Sequence, residues 1–291
     1  MTRICVTGAS GYLGRYLCPE LLKLGYDLIC VDRVPPEETY GEFRQADFRD
    51  ADKTHRALEG AQLLIHCASI HPWKKYRDEQ YLDANVKGTW NLFRAASEHG
   101  IDRVVLTSSI AASGYNPEPE LCPVDEGYQE QSLGDIYSLT KCFQEQIARH
   151  FCGHQGMKVI ALRPPNFTPR PPLQTGAALL SGCLVVQDVA SAHLKALDVW
   201  EKVQDSFEPF FTTPAFPYTP QEVRQLSHHP KRILDRYFPG AWEWFETRDV
   251  SLRPVATLHD SSKAKGLLGW QPEYTFARWW EEGRKDLEGD E

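Results

Sequence analysis

The sequence predicts an α/β protein, a doubly wound parallel sheet joined to a small C-terminal lobe. Three observations carry this expectation. Short apolar runs alternate with amphipathic stretches along most of the chain. The first run, Arg3-Ile4-Cys5-Val6, empties into Thr7-Gly8-Ala9-Ser10-Gly11-Tyr12-Leu13-Gly14, a glycine-rich turn that opens a helix. The second, Leu28-Ile29-Cys30-Val31, ends on an acidic residue, Asp32. A strand, a turn with glycines at 8, 11 and 14, a helix and an acidic strand tip together match the dinucleotide fingerprint of Rossmann-type sheets. Glycine lets a pyrophosphate approach the backbone, and the helix start offers free N–H groups and partial positive charge.

Bulk properties narrow the class. The chain has 291 residues, 42% hydrophobic and 25% charged, which suits a globular protein with a large core. A formal charge of −8 argues against nucleic acid or an anionic membrane as the main partner. No apolar run is long enough to cross a bilayer, and a strand starting at residue 3 leaves no room for a signal peptide. Cytoplasmic localisation is therefore expected. The eight cysteines form no C-x-x-C pair, and Cys5, Cys30 and Cys67 fall in apparent buried strands. They read as small apolar residues, neither disulfides nor metal ligands.

Taken in order, the first helix is expected from about Gly11 to Leu24, with Pro19 kinking it and Gly25 ending it. Asp32 suits the two ribose hydroxyls of NAD and would repel the 2′-phosphate of NADP; Arg33, directly after it, would welcome that phosphate, so NADP is the less favoured cofactor. Ala46-Asp47-Phe48 follows a loop, and a helix is expected from Asp52 to Leu58. Leu63 to Ala68 reads as a buried strand, its tail Cys67-Ala68-Ser69 small enough for a cofactor to lie against. His66 within it reads as a satisfied core histidine. The loop holding His71, Trp73, Lys74 and Lys75 leaves the carboxyl end of that strand, the ligand side of such sheets. One long helix is expected from Arg77 to His99. Asn85 and Gly88 are both poor helix formers, which points to close packing or an internal polar contact there.

The strand Arg103 to Thr107 ends in hydroxyls, Ser108 and Ser109. Tyr137 and Lys141 follow on a helical pattern, four residues apart and so on one face. A phenol ordinarily loses its proton near pH 10, and a neighbouring ammonium favours the phenolate. Tyr137 can then exchange a proton with a reacting oxygen that Ser109 holds. Val159 to Leu162 is a further strand, and the proline cluster Arg163 to Pro172 reads as a stiff loop at the ligand edge. A helix to about Trp200 and a strand from Phe207 to Thr212 follow. From about Pro214, Trp242, Trp244, Phe245, Trp270, Trp279 and Trp280 crowd into short helical segments, read as the core of a small lobe. Lys263 to Leu268 is a short helix stopped by Gly269, and an acidic tail is expected to fray from Glu288 to Glu291.

This ordered set resembles the extended branch of the short-chain dehydrogenase/reductases, the NAD-dependent epimerase/dehydratase group. The motifs are Thr7-Gly8…Gly11…Gly14, Asp32, Asp47-Phe48, His66-Cys67-Ala68, Asn85-Val86-Lys87-Gly88-Thr89, Ser108-Ser109, Tyr137…Lys141, Arg163-Pro164 and Leu268-Gly269-Trp270-Gln271-Pro272. The resemblance implies Ser109, Tyr137 and Lys141 as catalytic residues, with Lys141 also on the nicotinamide ribose. It implies Asp47 at the adenine amino group, and cofactor contacts at Phe48, Asn85, Thr107, Tyr137, Arg163 and Pro164 besides Gly8, Ser10, Gly11, Tyr12, Leu13, Gly14, Asp32, Arg33 and Cys67 to Ser69. The short stretch between Arg163 and Asp188 lacks the nucleotide-diphosphate arm of the sugar-nucleotide enzymes. Compact uronate dehydrogenases resemble the chain most, sharing the short insert, the Tyr137 to Phe143 helix and the ending at Leu267 to Trp270. They place Asn-His where this chain has Ile110-Ala111, and Arg170 only approximates their carboxylate-binding arginine.

The expectation is thus an NAD-dependent oxidoreductase acting on a small sugar-like or sugar-acid substrate, with an epimerase as the first alternative and a non-catalytic redox sensor as the second. Candidate substrate contacts are Ser69, His71, Ser109, Tyr137, Asn166 and Arg170; no metal is expected, and a homo-oligomer is left open. The cofactor-binding part is expected at 1–165, completed by about 183–213, with 166–182 and 214–291 forming the substrate lobe.

Overall fold

The computed structural model describes residues 2–114, 123–129, 134–214, 216–226, 228–253, 255 and 257–288. Of the expected acidic tail, residues 289–291 lie outside them. Seven parallel strands form one sheet in the order β3-β2-β1-β4-β5-β6-β7. β1 (Arg3–Thr7) leads into α1 (Tyr12–Lys23), which runs on through Pro19 and is closed by Gly25 at φ +84°. β2 (Asp27–Asp32) is followed by β3 (Glu42–Gln45). β3 is the one strand the sequence does not announce. It is a short edge strand whose residues are exposed or only half-buried, so Glu-Phe-Arg-Gln carries no apolar run to betray it.

α2 (Ala51–Ala57) starts at Asp50, whose carboxylate accepts from the Lys53 N–H at 3.1 Å. After β4 (Leu63–His66) the expected single helix runs without interruption as α3 (Asp78–Tyr81), a π-helical stretch Leu82–Lys87 and α4 (Gly88–Glu98). The wide turn falls on Asn85. Its amide accepts from the Ile70 N–H at 2.8 Å and donates to the Ile70 carbonyl and Thr140 Oγ1, both at 3.1 Å. At Gly88 a Cβ would lie 3.3 Å from the Phe48 Cβ. Both poor helix formers therefore have their reason, one polar and one steric.

β5 (Arg103–Thr107), α5 (Ile136–Gln155) and β6 (Lys158–Arg163) follow. The proline cluster is a loop to Pro171, but Pro172 then opens α6 (Pro172–Leu180), where a first-turn proline has no N–H to lose. α7 (Val186–Ala196) precedes β7 (Phe207–Phe211), an edge strand and so tolerant of Pro209. The rest is short helices: α8 (Pro220–Leu226), α9 (Pro230–Tyr237), α10 (Ala241–Glu246), α11 (Phe276–Arg278) and α12 (Arg284–Glu288). None of the described helices is long and apolar enough to cross a membrane.

α1 and α7 cover one sheet face with Leu13, Leu17, Leu21, Val189 and Ala192. α2, α4 and α5 cover the other with Ala57, Leu92, Phe93 and Phe151. A separate aromatic core joins Leu179 and Leu180 of α6 to Phe245, Phe276, Trp244, Trp279 and Trp280. Gly176 lies so close under the Trp279 indole that a Cβ would come within 2.4 Å. Trp270 is the exception to the expected aromatic lobe. It is 2% exposed and belongs to the core beside α1 and α7. Its indole N–H donates to the Asp188 carbonyl and Ser191 Oγ, both at 3.0 Å, while the Asp188 carboxylate accepts from the Glu273 and Tyr274 N–H groups. A buried indole needs such a partner, and α7 supplies it.

The connections from β1 run outward through β2 and β3, then return to β4 on the other side of β1. That reversal splays the loops after β1 and β4 apart and leaves a crevice at their carboxyl ends.

Candidate active site

A cleft of about 490 Å³ occupies this crevice. Its floor is the glycine turn. Gly8 has φ +71°, and a Cβ there would lie 2.9 Å from the Ala68 nitrogen. At Gly14 a Cβ would meet the Gly8 and Ala9 carbonyl oxygens at 2.5 and 2.4 Å. Only glycine fits, and the backbone is thereby left bare towards the cleft. Gly11 caps α1 without a side-chain bond, so first-turn N–H groups stay available to an anion. A dinucleotide's pyrophosphate fits this cradle.

Asp32 stands at the rim. Its carboxylate accepts from the Ser10 N–H at 3.2 Å and the Arg33 N–H at 2.7 Å, tying β2 to the glycine turn and leaving lone pairs for a ribose diol. Asp47 faces the same cleft, held by the Arg49 guanidinium at 2.6 and 3.0 Å; those bonds keep its carboxyl below the usual range. Ser10, Gly11, Tyr12, Leu13, Arg33, Phe48, Cys67, Ala68, Ser69, His71, Thr107 and Lys141 all line the cleft.

α5 starts at Asp135, which accepts from the Ser138 N–H at 2.6 Å and so fixes the turn that carries Tyr137. Lys141 is 1% exposed, and its Nζ donates to the Thr107 carbonyl at 2.9 Å, at the tip of β5. Burial lowers its pKa to about 8. The Nζ lies 5.9 Å from the centre of the Tyr137 ring. Ser109 caps a 3-10 turn, Ile110–Ala112, accepting from the Ala111 N–H at 3.2 Å, and its Oγ reaches the Pro164 carbonyl only at 3.5 Å. That turn packs on α5, where Ala111 and Tyr137 share a buried cluster. The His71 ring stands 5.5 Å from the Tyr137 ring and 5.5 Å from Trp73, and burial lowers its pKa to about 3, so it is neutral.

Other predicted site residues lie elsewhere. Asn85 grips the loop at Ile70 instead of lining the cleft. The Arg163 side chain is turned away from the cleft: it forms a two-pronged ion pair with Glu145 at 2.8 and 2.7 Å and donates to the Glu126 carbonyl. Pro164 meets the 3-10 turn after β5 through its carbonyl, which accepts from the Ile110 N–H at 3.1 Å. Asn166 and Arg170 bond each other at 3.1 Å, and Arg170 lines a second, polar hollow of about 210 Å³ beyond Tyr12.

Three residues escaped the sequence reading. Arg49 clamps Asp47, and Phe167 stacks on Tyr12 at 6.5 Å. Glu145 continues the four-residue series of Tyr137 and Lys141 and accepts from Ser108 Oγ at 2.5 Å as well as from Arg163. The signal for Glu145 is that spacing; its burial shows only once the packed face of α5 is known.

His66 is a core histidine, as expected. Thr89 Oγ1 donates to the Asn85 carbonyl, so His66 Nε2 donates to Thr89 at 3.0 Å and its Nδ1 accepts from Thr7 Oγ1 at 2.8 Å. His193 is held likewise between the Val189 carbonyl and Thr107 Oγ1. Burial lowers their pKa values from 6.5 to about 3 and about 4. The unfolded chain therefore binds more protons below pH 6.5, and stability falls as pH drops from there towards 4, by up to about 1.4 kcal/mol per pH unit for each histidine. Thermal unfolding followed across that range is expected to show the decline, and His193→Gln to flatten it.

The chain belongs to the NAD dependent epimerase/dehydratase family, whose model matches residues 4–176. It is 35% identical over 173 residues to a uronate dehydrogenase of Agrobacterium fabrum, a match covering 59% of this chain and 63% of that enzyme, less than two thirds of its length. A UDP-glucose 4-epimerase of Rhizobium meliloti is 26% identical over 318 residues, covering 94% of this chain and 93% of the epimerase. A solved short-chain dehydrogenase/reductase superfamily protein from Agrobacterium tumefaciens with bound NAD shares the fold. Its TM-score is 0.74 at 19% identity, with 99% of each chain covered.

Proposed function

We propose that the protein is an NAD-dependent oxidoreductase that moves hydride between nicotinamide and a hydroxyl or carbonyl of a small sugar-like or sugar-acid substrate. One observation carries this reading. Lys141, fixed to the Thr107 carbonyl inside the cleft that starts at the glycine turn, sits one helical turn from Tyr137. NAD, when bound, supplies the hydride acceptor or donor. Tyr137 takes the hydroxyl proton as the alcohol becomes a carbonyl, or returns it in the reverse direction. Ser109 holds the reacting oxygen; its proton is only loosely engaged by the Pro164 carbonyl at 3.5 Å. The Lys141 cation stabilises the phenolate that takes the proton in oxidation and that is left behind in reduction.

Residues 1–165, completed by about 183–213, would hold the cofactor, and 166–182 with 214–291 would cover the substrate. The Asp32 carboxylate at the rim favours NAD over NADP. The seven described cysteines are all free, which accords with a reducing cytoplasm. The full-length likeness to a UDP-glucose 4-epimerase supports a second reading, in which hydride returns to the same substrate.

A screen of sugars, sugar acids and small alcohols, read by NADH and NADPH absorbance, tests both. Net NADH formation from at least one compound, with NADP the poorer acceptor, is the expected result. Interconversion of epimers with no net NADH selects the epimerase.

A further inference from the structure

Beside Ser109 lies a third cavity, of about 150 Å³, that the cofactor cleft does not include. Two of its wall residues are chain neighbours of the reacting centre. Ile110 follows Ser109, and Pro165 follows the Pro164 whose carbonyl faces Ser109 Oγ. The opposite wall comes from the segment after β7 and from the stretch before Ala264, with Thr213, Phe216, Val255 and His259. At Gly182 a Cβ would press on Val255 Cγ2 at 3.3 Å, so glycine keeps the walls at this spacing.

No Lys, Arg, Asp or Glu is among the described residues that line this cavity. The nearby guanidinium of Arg163 is consumed by Glu145, and Arg170 lies in the separate hollow beyond Tyr12. His259 adds no charge, because burial holds its pKa at about 4. An ion brought here would find no counter-charge among the described walls. A cavity of this size takes about one six-membered ring. Its described walls offer neither the cations nor the helix start that a nucleotide diphosphate requires.

We infer that this cavity is the substrate subsite, and that it takes an uncharged single-ring sugar with an apolar edge, such as a deoxy or O-alkyl pyranose, in preference to a uronate or a nucleotide sugar. The inference rests on the oxidoreductase reading for its chemistry but on the cavity walls for its selectivity. Thr213, whose hydroxyl donates to the His259 carbonyl at 3.3 Å, keeps acceptor capacity for one substrate hydroxyl, and Ile110, Phe216 and Val255 meet the apolar edge.

The test uses the full chain with NAD and four matched compounds: one neutral pyranose, its 6-deoxy analogue, its uronate and its nucleotide-diphosphate ester. Turnover is read as NADH, and binding to the NAD-loaded protein is read separately by calorimetry. The neutral and 6-deoxy rings are expected to exceed the other two by about tenfold or more in kcat/KM and in affinity. Phe216→Arg, or Val255→Arg if the first fails to fold, is expected to narrow or reverse that ratio for the uronate. Preference of the wild type for the uronate or the nucleotide ester overturns the inference, as does failure of both neutral rings to bind. Neutral rings that bind without any NADH being formed overturn the oxidoreductase reading instead and leave the subsite standing.

Discussion

Tyr137→Phe is expected to lower turnover of any accepted substrate by about a hundred- to ten-thousandfold, the contribution of a positioned proton-transfer group. Cofactor affinity is expected to stay nearly unchanged. The phenol is placed by two features that the substitution leaves alone, the Asp135 cap of α5 and the packing of its ring among Tyr81 and Ala111. Phenylalanine keeps the ring and its contact with His71 and removes only the hydroxyl. The loss should therefore appear in kcat and kcat/KM together, the pattern of an interaction made in the transition state. Stopped-flow NADH formation beside a fluorescence titration of NAD checks both halves. Full turnover in the variant would remove Tyr137 from the chemistry.

The second large effect concerns stability. Glu145→Ala is expected to cost about 3–5 kcal/mol, because it strands the Arg163 guanidinium in the core. Arg163 and Glu145 are 2% and 4% exposed, and Glu145 also accepts a hydrogen bond from Ser108 Oγ. The pair thus bolts β6, the end of β5 and α5 together just below Ser109 and Lys141. Denaturant unfolding measures the cost. The double variant Glu145→Leu/Arg163→Met is expected to recover much of it, since removing both charges leaves neither unpaired. Recovery of stability without recovery of turnover would separate the bolt's mechanical part from its effect on the geometry at Ser109.

Much of the fold is legible wherever burial leaves a pattern. β1, β2, β4, β5 and β6 are apolar runs covered on both faces, and the glycine turn declares its own geometry. β3 is silent because an edge strand needs no apolar side chains. The π-helical widening after residue 81 shows in the sequence only as two unsuitable residues, Asn85 and Gly88, whose causes are Ile70 and Phe48, both distant along the chain. Within the site, many of the residues that line the cleft sit on local sequence motifs. Arg163 was drawn towards the cofactor by its motif, yet its charge is spent on Glu145, a partner visible only in three dimensions. Trp270 was grouped with its aromatic neighbours by proximity in sequence, whereas its hydrogen-bond acceptors lie on α7.

That indole has a consequence for how the molecule can be taken apart. After β7 the chain leaves the sheet, completes with α10 the aromatic core that α6 began, and comes back at Trp270 to plug a slot beside α1 and α7 before leaving again for α11. The lobe is therefore stitched down in its middle as well as at its root. A fragment ending short of that plug would present an open apolar socket to water, and a lobe borrowed from a relative would fit only if it brought a matching stopper.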